Sequence, residues 1–84
     1  MSYILAVFNS RTQTMLFYNK LKAKRIPCSI INNPEKTNVT CGICIKFYYS
    51  HLNVARQILN NNLNGFVGFY KLQNNLGRNI VTPL

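Results

Sequence analysis

Acid is what this sequence lacks most. Its 84 residues include one carboxylate side chain, Glu35, against ten lysines and arginines, for a net charge of +9. Hydrolysis by a pair of carboxylates acting as general acid and base is therefore excluded. Histidine is almost as scarce, with His51 alone, and there are three cysteines, Cys28, Cys41 and Cys44. Four potential zinc ligands result, but only Cys41 and Cys44 have a familiar C-x-x-C spacing and no second such pair exists. A structural zinc held by one chain is not expected, which leaves a site shared between subunits as the remaining metal route. An odd number of cysteines in a short chain is not the disulfide framework of a secreted domain. The four glycines form neither G-x-G-x-x-G nor G-x-x-x-x-G-K, so no phosphate-cradling loop is expected. No apolar run reaches the length of a membrane span, and "MSYILAVFNSR" lacks the charged start and long apolar core of a secretory signal. The expectation is a cytoplasmic protein with reduced thiols and no membrane association.

What is present suits one small domain. A chain this short buries only roughly 60–65 % of its unfolded surface, which leaves little room for a deep cavity walled by its own residues. Hydrophobic residues make up 48 % and charged residues 13 %, apolar enough to fold. The positive charge suggests an acidic partner, such as nucleic acid, anionic lipid or an acidic protein. A second explanation is AT-rich codon usage, which raises Asn, Lys, Ile, Tyr and Phe together. It accounts for the lysines and the runs "NNNLNG" and "QNNLG" better than for the missing acids.

Along the chain, "YILAVF" (3–8) reads as a strand buried on both faces. A helix follows, with Asn9 or Ser10 as N-cap and Met15, Leu16, Tyr18 and Leu21 at helical spacing. Lys20, Lys22, Lys24 and Arg25 sit at its negative end, and Pro27 stops it. "PCSIINN" is a short β-branched strand. "GICIKFYY" is another, with Ile43, Ile45 and Phe47 on one face and Cys44, Lys46 and Tyr48 on the other. Ser50 caps a second helix with Leu52, Ala55, Ile58 and Leu59 on its apolar stripe, ending at the Asn run and Gly65. "GFVGFYKL" is the last expected strand.

The order β-α-β-β-α-β predicts an α+β fold, the ferredoxin-like split β-α-β, with a four-stranded antiparallel sheet and two helices on one face. Residues 1–72 form the single domain and residues 73–84 a loosely ordered C-terminal tail. The first and third strands are central. The open face would carry either Tyr3, Leu5 and Val7 or Ile4, Ala6 and Phe8, both too apolar for comfortable exposure, so a second copy or a partner is expected to cover it.

The thiols can be weighed by geometry. A disulfide needs Cα atoms within roughly 7 Å, whereas three strand steps span about 10 Å and point the side chains to opposite faces. A redox C-x-x-C is thus disfavoured for Cys41 and Cys44. Cys28 and Cys44 read as small packed strand residues. His51 falls in the first turn after Ser50 and reads as a surface residue rather than the base of a Cys–His pair. Cys41 differs, because it ends a polar loop and precedes Gly42. A nearby Lys36 or Lys46 would favour its thiolate. RNA-recognition domains share the expected architecture and stack bases on aromatics of the two central strands. "KFYY" and "YILAVF" supply aromatics here, but the glycine-aromatic signature of the third strand is missing.

The pattern Tyr3, Leu5, Phe8, Ser10, then Pro34, then Thr40-Cys41-Gly42-Ile43 with Ile45 and Lys46 resembles a family of very small bacterial domains described as selenium/sulfur carrier-like. The resemblance covers roughly residues 3–72. Cys44 stands where a small residue such as Ala is usual, which adds a second possible thiol. Glu35-Lys36 replaces the usual basic follower of the loop proline. The resemblance implies a non-enzymatic carrier without cofactor, in which Cys41 accepts sulfur or selenium as a persulfide. Gly42 would give access, Thr40 would stabilise the thiolate, and Lys36 and Lys46 would dock a sulfur-transfer partner such as a cysteine desulfurase. A homodimer through the open sheet face is expected alongside. The alternative is a small basic module that binds RNA or an acidic protein and does no chemistry.

Overall fold

The computed structural model describes residues 2–32, 42–59 and 65–84. Among these residues the chain forms two α-helices and one five-stranded antiparallel sheet. The elements are β1 (Tyr3–Phe8), α1 (Arg11–Ala23), β2 (Cys28–Asn32), β3 (Ile43–Tyr48), a 3-10 turn (Tyr49–His51), α2 (Leu52–Leu59), β4 (Phe66–Asn75) and β5 (Arg78–Pro83). The strands lie in the order β2-β3-β1-β4-β5. β1 and β3 are interior, as their apolar composition requires. β4 is interior as well.

Register sorts the side chains. Ile4 faces Phe47 and Ala6 faces Ile45, while Leu5 faces Lys46 and Tyr3 faces Tyr48. Ile4, Ala6, Phe8, Ile45 and Phe47 form one core with Phe17 and Leu21 of α1 and Leu52, Ala55 and Ile58 of α2. Both helices therefore cover the same sheet face. All five phenylalanines of the chain meet on that side in a closed circuit of ring contacts. The contacts run Phe17–Phe8, Phe8–Phe66, Phe66–Phe69, Phe69–Phe47 and Phe47–Phe17, with centroids 4.9–6.4 Å apart. Such spacing suits the tilted and edge-on arrangements that ring quadrupoles favour. Phe66 and Phe69 have opposite parity along β4. They reach the same side because the β1–β4 register shifts between Val7 and Phe8, so that Val7 pairs with Gly68 but Phe8 with Phe66.

On the other face Leu5, Val7 and Cys44 are fully buried, packed by Ile31, Tyr70, Leu72 and Val81. The open side thus closes its apolar centre with its own neighbouring strands, and the need for a covering copy is smaller than the sequence suggested.

Three expectations are corrected. The sheet has five strands, not four: β4 continues to Asn75 and β5 pairs with it from Tyr70–Pro83 to Asn75–Arg78, using residues from the 73–84 segment set aside as a tail. The hairpin turns on Leu76 and Gly77, both at positive φ (54° and 81°), as a two-residue type I′ turn requires. The buried stripe of α1 is Thr14, Phe17 and Leu21, whereas Leu16 is 42 % exposed. Thr14 is tolerated inside because its hydroxyl donates to the Ser10 carbonyl at 2.9 Å. Finally, α1 stops before Pro27. Arg25 takes φ 60°, its N–H donates to the Lys22 carbonyl (2.9 Å), and the Ile26 N–H donates to the Leu21 carbonyl (3.0 Å). This is a Schellman cap, sealed by Ile26 and Leu21 in the core. Ser10 caps the other end as expected, its oxygen accepting from the Gln13 N–H at a long 3.4 Å.

Candidate functional site

The sequence points first to the start of β3. Cys41, Thr40 and Lys36 lie outside the described residues. Gly42, the next residue after Cys41, is exposed, and a Cβ built on it would meet no atom within 4 Å. Among the described residues nothing crowds Gly42.

Cys44 sits two residues further on and is fully buried between Leu5 and Val7. Its closed apolar surroundings suit packing as a small hydrophobe. Cys28 is half-buried and undisulfided. Burial pushes its thiol pKa up, and the nearby Lys22 ammonium offsets part of that rise. Cys28 pairs with Phe47, whereas Asn32 at the other end of β2 pairs with Ile43. Four strand steps of about 3.3 Å put Cys28 roughly 13 Å along the sheet from the Gly42 end. Cys28 and Cys44 also lie on opposite sheet faces, since Cys28 packs on the helix side and Cys44 on the other. The structure does not gather the described thiols into one site.

Lys46 is four residues beyond Gly42, again about 13 Å along β3. Its ammonium lies 4.7 Å above the Tyr3 ring, which in turn packs on Tyr48 with centroids 5.2 Å apart. His51 is half-buried in the 3-10 turn. Among the described residues no group of three or more His, Cys, Asp or Glu side chains could hold a metal ion. No helix among them is long and apolar enough to cross a membrane.

The Tyr3–Lys46–Tyr48 cluster had a partial signature in the sequence. Alternation placed Lys46 and Tyr48 on one face of β3, but the register that brings Tyr3 against them is a tertiary fact. Lys22 beside Cys28 had no signature, because the end of α1 and the start of β2 meet only in the folded chain.

The family model described as "Putative Se/S carrier protein-like" matches residues 3–71. No curated protein and no solved structure matches the chain.

Proposed function

The chain belongs to the Se/S carrier protein-like family, and from that membership we propose that it carries sulfur or selenium on the thiol of Cys41. The family match over 3–71 is the observation that carries this reading. The surroundings of Cys28 and Cys44 support the choice of residue. Cys44 is fully buried, Cys28 is half-buried with its thiol held toward the protonated form, and Cys41 adjoins the exposed Gly42.

The transfer needs no cofactor. The Cys41 thiolate attacks the outer sulfur of a persulfide on a donor cysteine, as in thiol–disulfide exchange. A sulfur–sulfur bond forms on Cys41, the donor's sulfur–sulfur bond breaks, and the donor leaves as a thiolate. The reverse exchange on an acceptor thiol returns Cys41 to its starting state. Thr40 stabilises the thiolate, Gly42 keeps the approach open, and Lys36 and Lys46 attract an acidic donor surface, such as that of a cysteine desulfurase. A reducing compartment such as the cytoplasm keeps the thiol available. The same reading takes β1–β4 with α1 and α2 as a ferredoxin-like unit extended by β5. The order β2-β3-β1-β4 and the shared helix face support it.

The test is intact mass after incubation with a cysteine desulfurase and cysteine, beside Cys41→Ser. The expected result is a reductant-sensitive gain of one sulfur atom in the wild type and none in the variant. A gain spread equally over the three cysteines, or no gain, removes Cys41 from the role.

A further inference from the structure

We propose that the sheet face opposite the helices binds single-stranded RNA across the Tyr3–Lys46–Tyr48 cluster. Two adjoining hollows flank this cluster and share Tyr3 and Lys46 as walls. One, of about 250 Å³, reaches from this face round the Tyr48 end of the sheet toward the helix side, with Ser29 and Tyr48 on the near wall and Lys22, Cys28 and Phe47 on the far one. The other, of about 290 Å³, is completed by Ile31, Leu72, Asn74 and Asn79. Together they run over all five strands, roughly 19 Å from β2 to β5 at about 4.8 Å per strand. That is enough for a few nucleotides.

The residue types along this path match what a single strand presents. Tyr48 is 38 % exposed and packs on Tyr3 with the two rings tilted by 30°, so the Tyr48 ring offers a face for base stacking. Lys46 stands over the Tyr3 ring and Lys22 lines the first hollow, where phosphates would pass. Ser29, Asn74 and Asn79 offer groups that both donate and accept, suited to base edges and the ribose 2′-hydroxyl. The Asn74 amide already donates to the Asn79 side-chain oxygen at 3.3 Å, so both project to one side of the hairpin.

The charge of the whole molecule selects the occupant. With a net +9 and one acid in the chain, a polyanion is attracted and a second copy is repelled. Leu5, Val7 and Cys44 of this face are already buried, so what remains for a ligand is aromatic, cationic and polar, with half-buried Ile31 and Leu72 between. Phe8, Phe17, Phe47, Phe66 and Phe69 pack on the helix side together with Tyr18 of α1, whereas Tyr3, Tyr48 and Tyr70 lie on this one.

The measurement is fluorescence anisotropy of a labelled ten-nucleotide oligouridine RNA titrated with the full chain at several salt concentrations. The same oligonucleotide as DNA and an unlabelled poly-glutamate competitor serve as further arms. Binding should fall linearly in log–log form with salt. Tyr48→Ala should weaken it about ten-fold or more, the order of one lost base stack, and Tyr48→Phe should restore it. Lys46→Gln should reduce the salt slope by about 0.7, one phosphate's share for a single strand. Lys20→Gln with Lys24→Gln, exposed cations that line neither hollow, should change affinity far less than Lys46→Gln. Cys41→Ser should bind as wild type, which keeps this site separate from the carrier reading. Three results would overturn the proposal: no RNA binding at low salt, loss that follows Lys20 and Lys24 while ignoring Tyr48, or poly-glutamate competing as well as unlabelled RNA. Equal affinity for the DNA strand would overturn the assignment to RNA.

Discussion

Cys28 and Cys44 carry the same functional group in two different surroundings. Cys44 is sealed among Leu5 and Val7, while Cys28 is half-buried with Lys22 close by. Both read from sequence as small strand residues, and for Cys44 burial agrees with that reading. The environment of Cys28 was not legible, because it depends on where the end of α1 lands. It has a measurable consequence. Desolvation raises the Cys28 pKa above its ordinary value of 9.0 and Lys22 lowers it in part. The thiolate is the species that reacts with iodoacetamide. Alkylation of Cys28, followed by peptide mass, should therefore be slow at neutral pH and climb as pH rises past 9. Lys22→Gln should slow it further at each pH, since the favourable charge is gone. The linkage sign agrees: a thiol whose folded pKa is raised contributes stability below its unfolded pKa and loses it as pH rises through the folded value. A rate that is already maximal at neutral pH would contradict this account.

The elements show where local rules suffice and where they do not. β1, β3 and the stripe of α2 were legible because period and composition agreed: Ile43, Ile45 and Phe47 alternate with Cys44, Lys46 and Tyr48, and Leu52, Ala55 and Ile58 recur at helical spacing. In α1 the apolar residues are so frequent from Met15 to Tyr18 that spacing alone admits more than one face. Packing on Phe8 and Phe47 selects Phe17, and the buried face of α1 turns out to include Thr14. The last hairpin was missed for a specific reason. A type I′ turn is recognised by Asn, Asp or Gly at both central positions, and here the first is Leu76. Leu76 is 96 % exposed, so its side chain gains little from packing, while its positive φ costs on the order of 1 kcal/mol. Leu76→Asn should relieve that cost. The expected outcome in a urea melt is a higher midpoint at unchanged slope, equivalent to a gain of about 0.5–1 kcal/mol. An unchanged or lower midpoint would mean that the turn is not limited by Leu76.

Whole-molecule behaviour follows from charge and from the closing of the second face. The sequence suggested a second copy over the open sheet, since an apolar first strand needs cover on both sides. In the fold Leu5 and Val7 obtain that cover from Ile31, Tyr70, Leu72 and Val81, the last supplied by β5. That strand was invisible as long as residues 73–84 read as a tail, so the expectation of a dimer rested on an incomplete sheet. A two-fold dimer through this face would also bring like surfaces together, setting Lys46 of one copy near the same patch of the other. With +9 on each chain the repulsion acts at long range at low ionic strength and is screened within about 10 Å at 0.1 M salt. Light scattering behind size exclusion at micromolar concentration should therefore give the monomer mass in dilute salt. Any association that salt brings out relies on screening of like charges, so Lys46→Glu should strengthen it and let it appear at lower salt. A dimer already complete at low salt would show that apolar contact on this sheet outweighs the charge, and would return the covered face to a second copy.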